Sequence, residues 1–165
     1  MDPVTERARA VRLAIFDVDG VMTDGTVYIG AQGEAFKAFN ILDGHGLKML
    51  GSSGVVTAII SGRTSEAVTR RAKELEIGHV VQGSADKSAD FDKLLASLGL
   101  QAAACAFVGD DVPDLPVMRR CGFAVAVANA HDSVKSEAHY VTRASGGRGA
   151  VREFCDLVLQ AKAAR

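Results

Sequence analysis

The chain has 165 residues, enough for one domain at roughly 150 residues each, with 48% apolar and 24% charged residues. That composition excludes collagen-like, low-complexity and wholly disordered chains. The net charge is −1, so the basic excess that drives non-specific nucleic-acid binding is missing and no nucleic-acid partner is expected.

The first ten residues mix Asp2, Glu6, Arg7 and Arg9 and hold no apolar core of a secretory signal. No uncharged apolar stretch approaches the ~18–20 residues that span a bilayer. A cytoplasmic protein with no membrane partner is expected. Cys105, Cys121 and Cys155 are odd in number and form no CxxC pair, which predicts buried free thiols rather than disulfides or a zinc site.

Short apolar runs at 11–18, 55–60, 105–108 and 123–127 end in Gly and polar residues, as do strands buried on both faces of a parallel sheet. A shorter run lies at 79–82. Between the runs, apolar residues recur at helical spacing over 65–75, 87–98, 112–121 and 150–163, and a further helix is expected over 44–50. Gly99 is a helix stop, and Pro113 sits where a helix start tolerates proline. Alternating strands and helices predict an α/β fold with a doubly wound parallel sheet, in a single domain over 1–165. Residues 25–39 break the alternation. They read as a β-hairpin, strands 26–29 and 35–39, around Gly30-Ala31-Gln32-Gly33.

In such a sheet, ligands bind beyond the carboxyl ends of the strands. Asp17 and Asp19 end the first run, Ser61 the second, Asp110 and Asp111 the third, and Lys87 opens the helix after the short run. Carboxylates as close as Asp17 and Asp110 repel unless a cation or a proton intervenes, and Mg²⁺ is the hard, oxygen-binding ion that suits them. Ser61 and Lys87 are then free to bind phosphate oxygens. A carboxylate can act as the nucleophile, and Asp19 can protonate a leaving alcohol and later activate water.

Asp17-Val18-Asp19-Gly20, Ser61, Lys87 and Gly109-Asp110-Asp111-Val112-Pro113-Asp114 resemble the four motifs of the haloacid dehalogenase superfamily of phosphotransferases. The resemblance covers nearly the whole chain. It implies Asp17 as nucleophile, Asp19 as general acid and base, and Ser61 with the Gly62 N–H as phosphoryl binders. Lys87 would steady both nucleophile and phosphate. Mg²⁺ would be held by Asp17, Asp110 and the Asp19 carbonyl, with Asp111 and Asp114 orienting Lys87 or metal-bound water.

The stretch from Asp19 to Ser61 has room for the hairpin and one helix, and that from Ser61 to Lys87 for one helix and one strand. Neither holds a cap domain. Phe39 to Gly46, Val125 to His131, Tyr140 to Arg143 and Gly146 to Glu153 look like the capless phosphatases of 3-deoxy-D-manno-octulosonate 8-phosphate, a sugar-acid phosphate. This implies a role in lipopolysaccharide inner-core synthesis, a homotetramer assembled through the hairpin, and a C-terminal tail and helix at about 143–165 that serves an adjacent subunit. Arg148 would offer its own site or a neighbouring subunit's a cation for phosphate or carboxylate. Arg63 would contact substrate or pack the start of the next helix; Asp43 would orient substrate or cap the helix at 44–50. His45 is expected near the pocket. Asn129 stands where many relatives carry an acidic residue. Two other readings are a phosphatase of nonulosonate 9-phosphate type and a non-catalytic assembly or regulatory module of the same fold.

Overall fold

The computed structural model describes residues 2–164. Helix α1 (Pro3–Ala10) leads into the central strand β1 (Leu13–Phe16), whose four side chains are all fully buried. A hairpin of β2 (Tyr28–Gly30) and β3 (Gly33–Phe36) follows, then α2 (Ile41–Ser52), β4 (Val56–Ile60), α3 (Glu66–Glu74), β5 (His79–Val81) and α4 (Lys87–Leu98). The second half holds β6 (Cys105–Gly109), α5 (Leu115–Met118), β7 (Phe123–Ala126), α6 (Asp132–Lys135), β8 (Tyr140–Val141) and α7 (Ala150–Ala163).

Six strands form one parallel sheet in the order β5-β4-β1-β6-β7-β8. The chain starts in the middle, runs outward through β4 and β5, then crosses back to β6 and runs out the other way. Right-handed crossovers in opposite directions place helices on both faces. On one side α7 packs on α1 and α2; α4 and α5 pack together on the other. The strand order reverses between β1 and β6, which is the point where such sheets bind ligands.

Phe154 of α7 is fully buried, its ring edge-on to Phe16 of β1 at 5.5 Å and beside Phe123 of β7 at 6.1 Å. Burying a side chain of this size stabilises by about 1.5–3 kcal/mol. The C-terminal helix therefore belongs to the core, with Cys155 and Val158 also fully buried. All three cysteines are free and buried.

Helices 87–98 and 150–163 match their expected bounds. The expected helix at 112–121 is instead a 3₁₀ turn over Val112–Asp114 followed by α5. Pro116 has no N–H to give the Val112 carbonyl, so an α-helix cannot begin at 112. Helix α2 is longer than the expected 44–50 because Asn40 caps it, its side chain accepting from the Asp43 N–H at 3.1 Å. The hairpin turns tightly through Ala31 and Gln32, with Gly30 paired to Gly33 and Tyr28 to Phe36. Gly33 has φ +108, a conformation open to glycine. The Tyr28 and Phe36 rings stack at 4.3 Å. None of the described helices is long and apolar enough to cross a membrane.

Candidate active site

Asp17 directly follows β1, and its N–H donates to the Val108 carbonyl of β6 at 3.1 Å. Parallel register thus sets Asp17 beside the Gly109-Asp110 turn, although more than ninety positions separate them in sequence. Two glycines let these acidic turns close on each other. A Cβ on Gly20, whose φ is +87, would lie 2.0 Å from an Asp110 carboxylate oxygen, and one on Gly109 would lie 2.7 Å from an Asp114 oxygen.

Lys87, the first residue of α4, points its ammonium between two aspartates, 3.1 Å from Asp17 Oδ1 and 2.6 Å from Asp114 Oδ1. Asp114 is 1% exposed and uses both oxygens: Oδ1 accepts from Lys87, Oδ2 from the Asp110 and Asp111 N–H groups. It locks the acidic loop to the lysine. Asp111 caps the 3₁₀ turn by accepting from the Val112 N–H at 2.7 Å, and it forms a capping box with Asp114, which accepts from the Asp111 N–H at 3.3 Å.

One carboxylate oxygen each from Asp17, Asp110 and Asp114 falls within 4.8 Å of the others. Burial raises the pKa of Asp17, Asp114 adds to the rise, and Lys87 opposes it. Asp110 is pushed up to about 9, first by burial and then by the charges of Asp17 and Asp114. Its Oδ1 is buried without a hydrogen-bond partner among the described residues. Since both Asp114 oxygens are engaged by Lys87 and the loop N–H groups, Asp17 and Asp110 are the pair with the most capacity left for a cation. Their donors are hard oxygens and one is orphaned, which fits a small divalent ion such as Mg²⁺.

Asp19 lies on the pocket wall. Lys37 Nζ donates to its Oδ1 at 2.6 Å, and Arg63 Nε lies 3.6 Å from its Oδ2. Ser61 directly follows β4 and is 2% exposed; Gly62 and Arg63 follow it around the rim. The cavity of about 330 Å³ is lined by Asp17, Asp19, Ser61, Gly62, Arg63, Lys87, Asp110, Asp111, Pro113 and Asp114. All the motif residues expected from sequence meet there.

Three expected residues lie elsewhere. Asp43 is buried and faces α7, where its Oδ1 accepts from the Arg152 N–H at 2.9 Å. It caps the C-terminal helix, 109 residues away in sequence, rather than its own helix or a substrate. Gly149 at that helix start has no side chain to cap with, and Asp43 supplies one. Arg148 is exposed, its guanidinium 4.0 Å from Asp24, and does not line this pocket. His45 is exposed on α2, also outside it.

Sequence reading missed Lys37, Glu34 and the part played by Asn129. The Asn129 amide donates to the Gly20 carbonyl at 3.0 Å and accepts from the Gly146 N–H at 2.7 Å. It ties the first acidic turn to the segment before α7, a contact that needs both ends of an amide and that a carboxylate cannot make. Lys37 and Glu34 belong to no motif, and only closure of the hairpin onto the sheet edge brings them to Asp19.

A doubly wound sheet with paired aspartates, a buried lysine and a serine at successive strand ends defines a haloacid dehalogenase-like hydrolase, and the sequence model of that family matches residues 76–154. The chain is 51% identical over 161 residues to the 3-deoxy-D-manno-octulosonate 8-phosphate phosphatase of Yersinia pestis, covering 98% of this chain and 86% of that protein. The crystal structure of the Yersinia pestis phosphatase superposes with a TM-score of 0.96 over 98% of this chain and 87% of that one. The Moraxella catarrhalis phosphatase, crystallised with magnesium, phosphate and 3-deoxy-D-manno-octulosonate, is 42% identical over 98% of this chain and 93% of that one, with a TM-score of 0.95. The chain belongs to the 3-deoxy-D-manno-octulosonate 8-phosphate phosphatase family.

Proposed function

We propose that this protein is a Mg²⁺-dependent phosphomonoester hydrolase that converts 3-deoxy-D-manno-octulosonate 8-phosphate to the free sugar acid and inorganic phosphate. The observation that carries the reading is the Asp17–Asp110 pair, with its orphaned buried oxygen, set against the Lys87 ammonium at the switch point of the sheet. The substrate follows from the names of relatives that match nearly end to end.

Asp17 attacks phosphorus in line with the sugar oxygen. As the new Asp17–phosphorus bond forms, the bond to the sugar oxygen breaks and Asp19 gives that oxygen its proton. Asp19 then takes a proton from water as the water oxygen attacks phosphorus. The Asp17–phosphorus bond breaks, inorganic phosphate leaves, and Asp19 is protonated for the next cycle. Lys87 holds the nucleophile and offsets phosphate charge, while Ser61 Oγ and the Gly62 N–H bind phosphoryl oxygens. Asp17, Asp110 and the Asp19 carbonyl would hold Mg²⁺, which supplies the charge neutralisation that lets a carboxylate approach a phosphate. Asp114 and Asp111 keep Lys87 and the loop in register. Arg63, half exposed at the rim, meets the substrate's anionic groups.

The protein works as a cytoplasmic homotetramer. Ile29 and Phe36 of the hairpin and Ile41 and Leu42 of α2 are 55–83% exposed and supply apolar surface for such an assembly. Arg148, outside its own pocket, is free to serve a neighbour's. Light scattering reads the tetramer directly, and a monomer at micromolar concentration ends that part of the reading.

The deciding experiment measures phosphate release from 3-deoxy-D-manno-octulosonate 8-phosphate, a nonulosonate 9-phosphate and a panel of sugar phosphates, with Mg²⁺ and with chelator. Selective, Mg²⁺-dependent release from the eight-carbon substrate is expected. Faster release from another sugar-acid phosphate overturns the substrate; no release from any overturns the activity.

A further inference from the structure

The hairpin carries a buried charge network that the four motifs do not explain. Lys37 directly follows β3, and its side chain is only 3% exposed. Its ammonium donates to Asp19 Oδ1 at 2.6 Å and lies 2.9 Å from Glu34. Burial opposes the charge on Lys37, yet the bonds to Asp19 and Glu34 outweigh it and raise the lysine pKa. Glu34 in turn accepts from Ser65 Oγ at 2.5 Å and from Arg63 at 3.4 Å. Ser65 precedes α3, and its hydroxyl is spent on Glu34 rather than on capping that helix. The network therefore bolts the hairpin to the loop that carries Ser61, Gly62 and Arg63.

Lys37 does not line the cavity, so it reaches the chemistry through Asp19 alone. Asp19 Oδ1 is fixed by the buried ammonium; Oδ2 faces the rim beside Arg63 Nε at 3.6 Å. We infer that Lys37 is a positioning residue that pins Asp19 Oδ1 and so commits Oδ2 to the proton transfers with the leaving oxygen and the attacking water. This rests on the proposed hydrolase mechanism. The proton count is unchanged by it: Lys37 keeps its proton throughout, and Asp19 Oδ2 gives one proton in the first half-reaction and regains one from water in the second. A carboxylate without its anchor rotates about its side-chain bonds, and the correctly aimed fraction falls.

The test is a double-substitution cycle of Lys37→Met with Asp19→Asn, read with two substrates and Mg²⁺. On an alkyl phosphate, Lys37→Met is expected to lower kcat by about 10–100-fold, within the ~10²–10⁴ that a positioned acid–base group contributes, with KM changed less than about twofold. Lys37→Arg is expected to recover most of the loss. In the Asp19→Asn background, Lys37→Met is expected to cost nothing more, because the group through which it acts is gone. Single-turnover release of p-nitrophenolate from p-nitrophenyl phosphate is expected to fall much less, since that leaving group departs without a proton. An equal loss on both substrates, a loss that adds fully to Asp19→Asn, or a raised KM at unchanged kcat each overturns the inference. If Lys37→Met does not fold, Lys37→Gln enters the same cycle. Wild-type inactivity on the eight-carbon sugar phosphate alone overturns the substrate assignment and leaves the cycle readable on whichever alkyl phosphate is cleaved.

Discussion

Replacing Asp110 by Asn should make the metal-free protein more stable while destroying its response to Mg²⁺. The wild-type Asp110 carboxyl is pushed from 3.8 up to about 9, by burial first and by Asp17 and Asp114 next. In the unfolded chain the group loses its proton near its ordinary value; in the folded chain it keeps the proton until about pH 9. The folded state binds the extra proton between those limits, so metal-free stability falls as pH rises through that window. At pH 7.5 the full linkage amounts to about 5 kcal/mol at ~1.4 kcal/mol per unit, and relaxation of a coupled pair reduces it to about 2–4 kcal/mol. Asn carries no such charge, and its amide can donate to Asp17. For a domain of this size 1 kcal/mol moves Tm by about 2–4 °C, so a rise on the order of 5–10 °C is expected at pH 7.5 without metal, shrinking toward pH 5. The assay is thermal unfolding of both proteins with Mg²⁺ and with chelator, at pH 5, 6.5 and 8. Mg²⁺ should raise the wild-type Tm and leave the variant unmoved. A variant that melts at the wild-type temperature in chelator, or that Mg²⁺ stabilises as strongly as wild type, refutes the reasoning.

Asp17→Asn should abolish phosphate release, with circular dichroism and melting showing an intact fold; measurable Mg²⁺-dependent turnover would remove Asp17 as nucleophile. Gly20→Ala places a methyl group 2.0 Å from Asp110 at φ +87, and should cost about 1–3 kcal/mol in a denaturant melt and weaken Mg²⁺ binding in calorimetry. Asp43→Ala removes the cap of α7 and should cost about 1 kcal/mol with KM for the sugar phosphate unchanged, whereas a raised KM at wild-type stability would return Asp43 to the substrate. Truncation after Thr142 should unfold the protein rather than relax its selectivity, because it takes Phe154, Cys155 and Val158 out of the core; a folded truncate in a melting experiment would contradict the packing described above.

The strand ends were legible because their signals are local. An apolar run that stops at Asp-Val-Asp-Gly, at Ser-Gly-Arg or at Gly-Asp-Asp announces both a buried strand and the polar turn beyond it, and order along the chain suffices to bring those turns to one edge. Helices α4 and α7 matched their expected bounds because their apolar spacing runs the whole length, and Gly99, left-handed at φ 63, ends the first of them. Helix α1 went unread: only Ala8 is buried on it, so it shows no apolar stripe, and it is held by the Asp2 cap and by packing on α7. Strand β8 is two residues long and takes its conformation from β7.

Sequence alone determined the fold class and the strand ends, and it set Asp17, Asp19, Ser61, Lys87 and Asp110 at or just beyond those ends, since apolar periodicity and turn chemistry act over a few residues. Only the tertiary structure decided that Asp43 caps a helix 109 residues away, that Asn129 joins Gly20 to Gly146, that Arg148 stands outside its own pocket, and that Lys37 holds Asp19. Apart from the exposed Arg148, each of these is one polar group meeting another that is distant along the chain. Such a pairing has no period and no preferred spacing, and it exists because burial leaves a charged or hydrogen-bonding group no water to turn to.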